Sequence, residues 1–169
     1  MENFEVYLQG GDLRSIGKVN QLIELIKTQK EFETLFHYLY SENRLIVMRA
    51  IDAVEKITLE NPKYLSGHNQ DIINLLNKAT DKELKWHLAL LVPRIELTNV
   101  ESKTAWNLLK KWVRNRKESK IVRVNSIQSL FILSQRNIDL EKDFELIIHE
   151  IKNENIPSIK ARLRKLKIK

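Results

Sequence analysis

VMRAIDAV (47–54), WHLALLVP (86–93), RVNSIQSL (123–130) and KARLRKLK (160–167) are four runs of one kind. Each carries apolar and small residues at helical spacing, and each follows the last after about 37 to 39 residues. A fixed period of this size marks a stack of helix pairs, with each run the inner helix of its pair. Two amphipathic helices cannot hide both apolar faces against each other, so each pair buries the remainder against its neighbour and the core becomes continuous. Small residues recur at Ala50, Ala53, Ala89, Ser126 and Ser129, where inner helices should approach most closely. The expected fold class is all-α: an α-α superhelix, a right-handed solenoid of about four helix pairs with an extra N-terminal helix. One repeat domain should span 1–169, with 1–18 a glycine-containing loop or cap and 19–169 the helical repeats.

Outward from the four runs, the remaining elements fall between punctuating residues. Glycine stands at 10, 11, 17 and 67, so the chain after residue 18 favours helix. A first helix is expected from about Val19 to Thr28, followed by QKEFETLFHYLYS with Phe32, Leu35, Phe36 and Leu39 at helical spacing. Its partner should start at an N-cap Ser41 and stop before Asn61-Pro62. NQDIINLLNKA forms the next outer helix, and Asp81 caps an inner helix through Trp86, Leu90 and Ile95 that Pro93 should kink. SKTAWNLLKKWVRNRK turns Trp106, Leu109, Trp112 and Val113 inward, ahead of an inner helix capped at Ser119. In the last pair Ile156, Ile159, Leu163 and Leu166 give a narrow apolar seam on an otherwise basic surface, as suits a terminal repeat.

Composition bounds the function. With 169 residues, a net charge of +7 and no cysteine, the chain has neither disulfides nor thiolate ligands and suits a reducing cytoplasm. No apolar run approaches the roughly 20 residues of a membrane span, and MENFEVYLQGG lacks the basic region and apolar stretch of a secretory signal. Lys and Arg crowd into 110–123 and 160–169. A solvated face is the commoner meaning of such segments. An anionic partner is the other, because Lys103, Lys110, Arg114 and Lys117 fall along one stripe of an outer helix. Lys120, Arg123, Lys160, Arg162 and Arg164 would extend that stripe onto inner helices. Nucleic acid held this way would be bound without regard to sequence and released by salt.

Motifs for catalysis are missing. GGDLRSIGK departs from a phosphate loop at Asp12 and at Val19, leaving only a candidate anion loop of Asp12, Arg14, Ser15 and Lys18 beside a structural reading as an N-terminal cap. His37, His68, His87 and His149 lie on separate elements, so neither a metal site nor any cofactor is expected. No nucleophile motif appears.

The run around Ala50, the period and the Val122-Arg123 pair resemble HEAT repeats of the armadillo-type fold. GGDLRSIGK, KWHLALLVPRI, SKIVRVNSIQSL and PSIKARLRKL together resemble a group of small bacterial HEAT-repeat proteins without an assigned biochemical role. The resemblance implies a scaffold with interaction surfaces and supplies no reaction. A non-enzymatic adaptor is therefore expected, holding a protein partner on a concave face at Arg49, His87, Arg94 and Arg123. For Arg49 and Arg123 a clamp on the preceding helix's carbonyls is an equal alternative. A bacterial family of DNA glycosylases shares HEAT-like architecture, which leaves base excision as a minor alternative using Trp86, Trp106 or Trp112 with Asp52 or Asp81. The oligomeric state is open.

Overall fold

The computed structural model describes residues 3–11 and 17–168, and the regular elements among them are all helical. They fall into two compact units, 1–66 and 67–169.

The first unit holds α1 (Glu5–Leu8), α2 (Val19–Leu25), α3 (Gln29–His37) and α4 (Arg44–Glu60), with short 3-10 turns at Tyr38–Tyr40 and Pro62–Leu65. The helix expected to run to Thr28 ends earlier, because Ile26 is extended and Thr28 begins the next helix as its N-cap. Thr28 Oγ1 accepts the Glu31 N–H, and the Glu31 carboxylate takes the N–H groups of Lys27 and Thr28 at 2.7 and 2.8 Å. Glu31 is correspondingly held below the usual carboxylate range, chiefly by those two backbone donors. Asn43, rather than Ser41, caps α4 by accepting the Leu45 N–H at 3.0 Å, while Ser41 accepts the N–H of Asn43. Asn61-Pro62 ends α4 as expected. α3 packs on α4, and Phe32, Leu35 and Phe36 of the first helix and Ala50, Ile51, Ala53 and Val54 of the second are buried. Tyr64 stacks on Phe32 with ring centroids 5.0 Å apart.

The second unit holds α5 (Asn69–Lys78), α6 (Lys82–Leu91), α7 (Asn99–Arg114), α8 (Lys120–Arg136), α9 (Ile138–Ile151) and α10 (Pro157–Lys165). α5, α7 and α9 lie side by side as outer helices, and α6, α8 and α10 form the inner layer. α8 is the hub, touching α6, α7, α9 and α10, and it buries Val122, Ser126, Ile127, Leu130 and Leu133 among others. The small residues do their expected work here: the Ser129 hydroxyl donates to the Ala89 carbonyl, which requires close approach of α6 and α8. Thr98 and Glu101 form a second capping box that starts α7. Pro93 ends α6 instead of kinking it. Without a proline N–H the α ladder cannot continue, so Val92–Arg94 tightens into a 3-10 turn and Ile95 becomes extended. Arg136 then donates to the Pro93 carbonyl at 2.6 Å.

A repeated ionic clamp joins successive pairs. Lys85 and Arg123 each occupy the fourth residue of their inner helix. Lys85 Nζ meets Glu118, in the turn between α7 and α8, at 2.7 Å. Arg123 Nη2 meets Glu154, in the turn between α9 and α10, at 2.8 Å. The Arg123 side chain is 1% exposed and that of Glu154 is 9%. Their approach is a charge contact rather than an aligned hydrogen bond, whereas Arg123 Nε donates well to the Val113 carbonyl at 2.7 Å. Removing one partner of a buried pair leaves the other charge desolvated and uncompensated, a cost of about 3 kcal/mol. Glu154→Gln should therefore lower the unfolding free energy by about 3 kcal/mol, seen as a lower urea midpoint at unchanged slope.

Candidate functional site

Three of the four arginine and histidine side chains expected on an open face are interior. Arg49 is 1% exposed, His87 2% and Arg123 1%. The reason is chemical: each guanidinium satisfies carbonyls that a helix end leaves over. Arg49 Nη1 donates to Leu8 O at 3.0 Å and Gln9 O at 2.7 Å, closing the end of α1, and Arg123 caps α7 through Val113. Arg123 thus clamps the preceding helix, as the alternative reading has it, whereas Arg49 clamps the end of α1 and not that of the preceding α3. His87 lies against the Trp86 ring, their centroids 3.4 Å apart. Arg94, in the 3-10 turn after α6, is half-buried and keeps a solvent-facing edge.

Around Arg94 lies a face that sequence reasoning missed. Trp86, Leu90 and Arg94 are spaced by four residues along α6 and its closing turn, and all three are half-buried. About 38 residues further on, Val124, Gln128 and Ile132 repeat that row on α8, again half-buried, with Ile121 46% exposed at its start. Arg162 reaches across from α10, donating to Gln128 Oε1 at 2.7 Å and Asn125 Oδ1 at 3.2 Å, and burial pulls its guanidinium below the ordinary value. A row of half-buried side chains at equivalent positions of consecutive inner helices was legible as a period. It was hidden by a preference for charged residues.

The basic stripe is divided. Lys110 Nζ lies 2.8 Å from Asp143 Oδ2, which also accepts Trp106 Nε1–H at 2.6 Å. Arg114 holds Glu150 with two parallel bonds of 2.6 Å. These two cations are therefore engaged in packing α7 on α9. Lys103, Lys117, Lys120 and Arg164 are exposed and make no ion pair among the described residues. Lys160 donates to Asn155 at 2.6 Å.

Of the candidate anion loop, Asp12, Arg14 and Ser15 lie outside the described residues, and Lys18 is exposed at the start of α2. Gly17 serves packing. Its φ is +57°, and a Cβ there would come within 2.9 Å of the Arg49 guanidinium carbon. Among the described residues no group of three or more His, Cys, Asp or Glu side chains converges as a metal site, and no helix is long and apolar enough to cross a membrane. Trp106 and Trp112 are 3% and 6% exposed, so both belong to the core. Asp52 pairs with Lys56 at 2.8 Å, and Asp81 stands at the N-cap of α6.

The α7–α9 ion pairs give stability a pH dependence. Burial alone would raise the Asp143 carboxyl, but the bonds from Lys110 and Trp106, with the charges of Lys110 and Arg114, hold it below the usual range. Glu150 is likewise held low, first by its bond from Arg114. A carboxyl depressed on folding contributes stability above its unfolded value and loses it as pH falls through the folded one. The urea midpoint should thus decline on acidification below about pH 4, and Asp143→Asn should show a shallower decline in the same titration.

No curated protein matches the chain. A family model described as a HEAT repeat domain matches residues 11–169, nearly the whole sequence. Paired helices, a returning period and a two-layer second unit agree with that match, and the chain belongs to the HEAT-repeat family.

Proposed function

We propose that this chain is a non-enzymatic binding module of the cytoplasm that holds a protein partner on the exposed face of α6, α8 and α10. One observation carries the reading: half-buried Trp86, Leu90, Val124 and Ile132 recur at equivalent places on consecutive inner helices, with Arg94 among them. Apolar area partly open to water, flanked by an arginine and an aromatic ring, has the composition of an interface centre. The polar groups of Gln128 and Arg162 beside it already bond each other, so covering them strands little. Of the residues that base excision would draw on, Trp106 and Trp112 fill the core and Asp52 is paired with Lys56, while Trp86 belongs to the proposed binding face. With Arg49, His87 and Arg123 interior, Arg94 alone of the four expected contacts is retained for this role.

The expected outcome is a stoichiometric protein captured from native lysate by the wild-type chain, and at least tenfold weaker capture by the Arg94→Glu, Ile121→Glu double variant with unchanged helical circular dichroism. Equal capture by that variant would move the partner to another face. A second reading, nucleic-acid binding, rests on the exposed and unpaired Lys103, Lys117 and Lys120. It expects a gel shift of random duplex at low salt that vanishes toward physiological salt, and no shift by Lys117→Glu, Lys120→Glu. A shift that survives in the variant would remove the reading.

A further inference from the structure

We infer that the open side of α9 is a docking groove for an amphipathic helix of a partner protein, one bearing a basic edge. This face belongs to the outer layer and is independent of the inner-helix face proposed above. A cavity of about 340 Å³ runs between the end of α8, α9 and Ile168. Phe144 and Ile148, 6% and 5% exposed, form its floor and half-buried Ile168 one wall, while Glu141 and Glu145 stand along one part and Lys152 at the other.

What such a groove accepts is written in the neighbouring helix. α7 holds α9 with Trp106, Lys110 and Arg114, which engage Asp143 and Glu150. α7 and α9 are in register at about 38 residues, since Leu109 and Ile147 are both fully buried, as are Val113 and, nearly, Ile151. In that register Trp106, Lys110 and Arg114 correspond to Phe144, Ile148 and Lys152, all of which line the groove. The groove is thus the counterpart of a surface already shown to seat a helix. The charge pattern differs in one respect. Lys103 and Asn107 of α7 are matched by Glu141 and Glu145 on α9. Both glutamates are exposed and make no ion pair among the described residues. A helix seated on α7 brings carboxylates, whereas one seated on α9 must bring Lys or Arg opposite Glu141 and Glu145, an apolar stripe over Phe144 and Ile148, and an acid opposite Lys152. The chain as a whole carries +7, so the attraction of a cationic helix to this groove rests on Glu141 and Glu145 and works against the general field.

The test uses the ¹⁵N-labelled chain and two blocked synthetic helices of identical leucine stripe, one flanked by lysines and its twin by glutamates. The lysine peptide should move the amide signals of Phe144, Glu145, Ile148 and Ile168, and should bind at least tenfold more tightly than the twin. Glu141→Lys, Glu145→Lys should reverse that preference while the helical spectrum is retained, because both positions are solvent-facing. No shift on α9, shifts confined to other helices, or a preference unaltered by the reversal would overturn the inference. So would concentration-dependent dimerisation of the wild-type chain that the double reversal abolishes, since the occupant would then be a second copy.

Discussion

Burying a guanidinium constrains everything around it. Arg123 lies within the second unit with almost no exposure, and a charge so placed must find both hydrogen-bond acceptors and an opposite charge. The carbonyl of Val113 meets the first need and Glu154 the second. One side chain on α8 thereby fixes the end of α7 and the turn that leads into α10. Arg49 imposes the same discipline in the first unit, where its donors close α1 and its planar head lies beneath Gly17. Few arrangements satisfy a buried arginine and many satisfy a leucine, so each of these bonds restricts how its neighbouring elements can pack.

With α8 surrounded by four other helices, little of its circumference is left to meet solvent. That remaining strip, together with its counterpart on α6, carries the half-buried row of Trp86, Leu90, Val124 and Ile132. Its side chains are mixed in character for the same reason. They must pack sideways against neighbouring inner helices and still tolerate water on one edge, which favours Trp86, Val124 and Ile132 over long charged residues.

Much of the architecture was legible before any coordinates, since a period depends on apolar spacing that many residues report together. Boundaries were less legible. Thr28 and Thr98 each start a helix through a reciprocal bond with a glutamate three residues later, a signal that the apolar pattern running across Thr28 conceals in the sequence. Pro93 illustrates the opposite error, where a residue able to kink a helix ended one. α1 has only four residues and cannot display a period at all. Arg49 and Arg123 lie inside for a physical reason. An arginine in an amphipathic helix looks solvent-facing in sequence, yet the carbonyls left over at a neighbouring helix end make the interior acceptable to it, and those acceptors are distant along the chain, as Leu8 is from Arg49.

Glu141 and Glu145 also bear on growth of the array. The edge by which α9 is received carries Asp143 and Glu150, both carboxylates. Were the terminal hairpin duplicated in tandem, the Glu150 equivalent would meet Lys152 as Glu150 meets Arg114, but the Asp143 equivalent would meet Ile148 in place of Lys110, with Glu141 and Glu145 close by. A copy of the last module would thus be held by one ion pair where α9 is held by two.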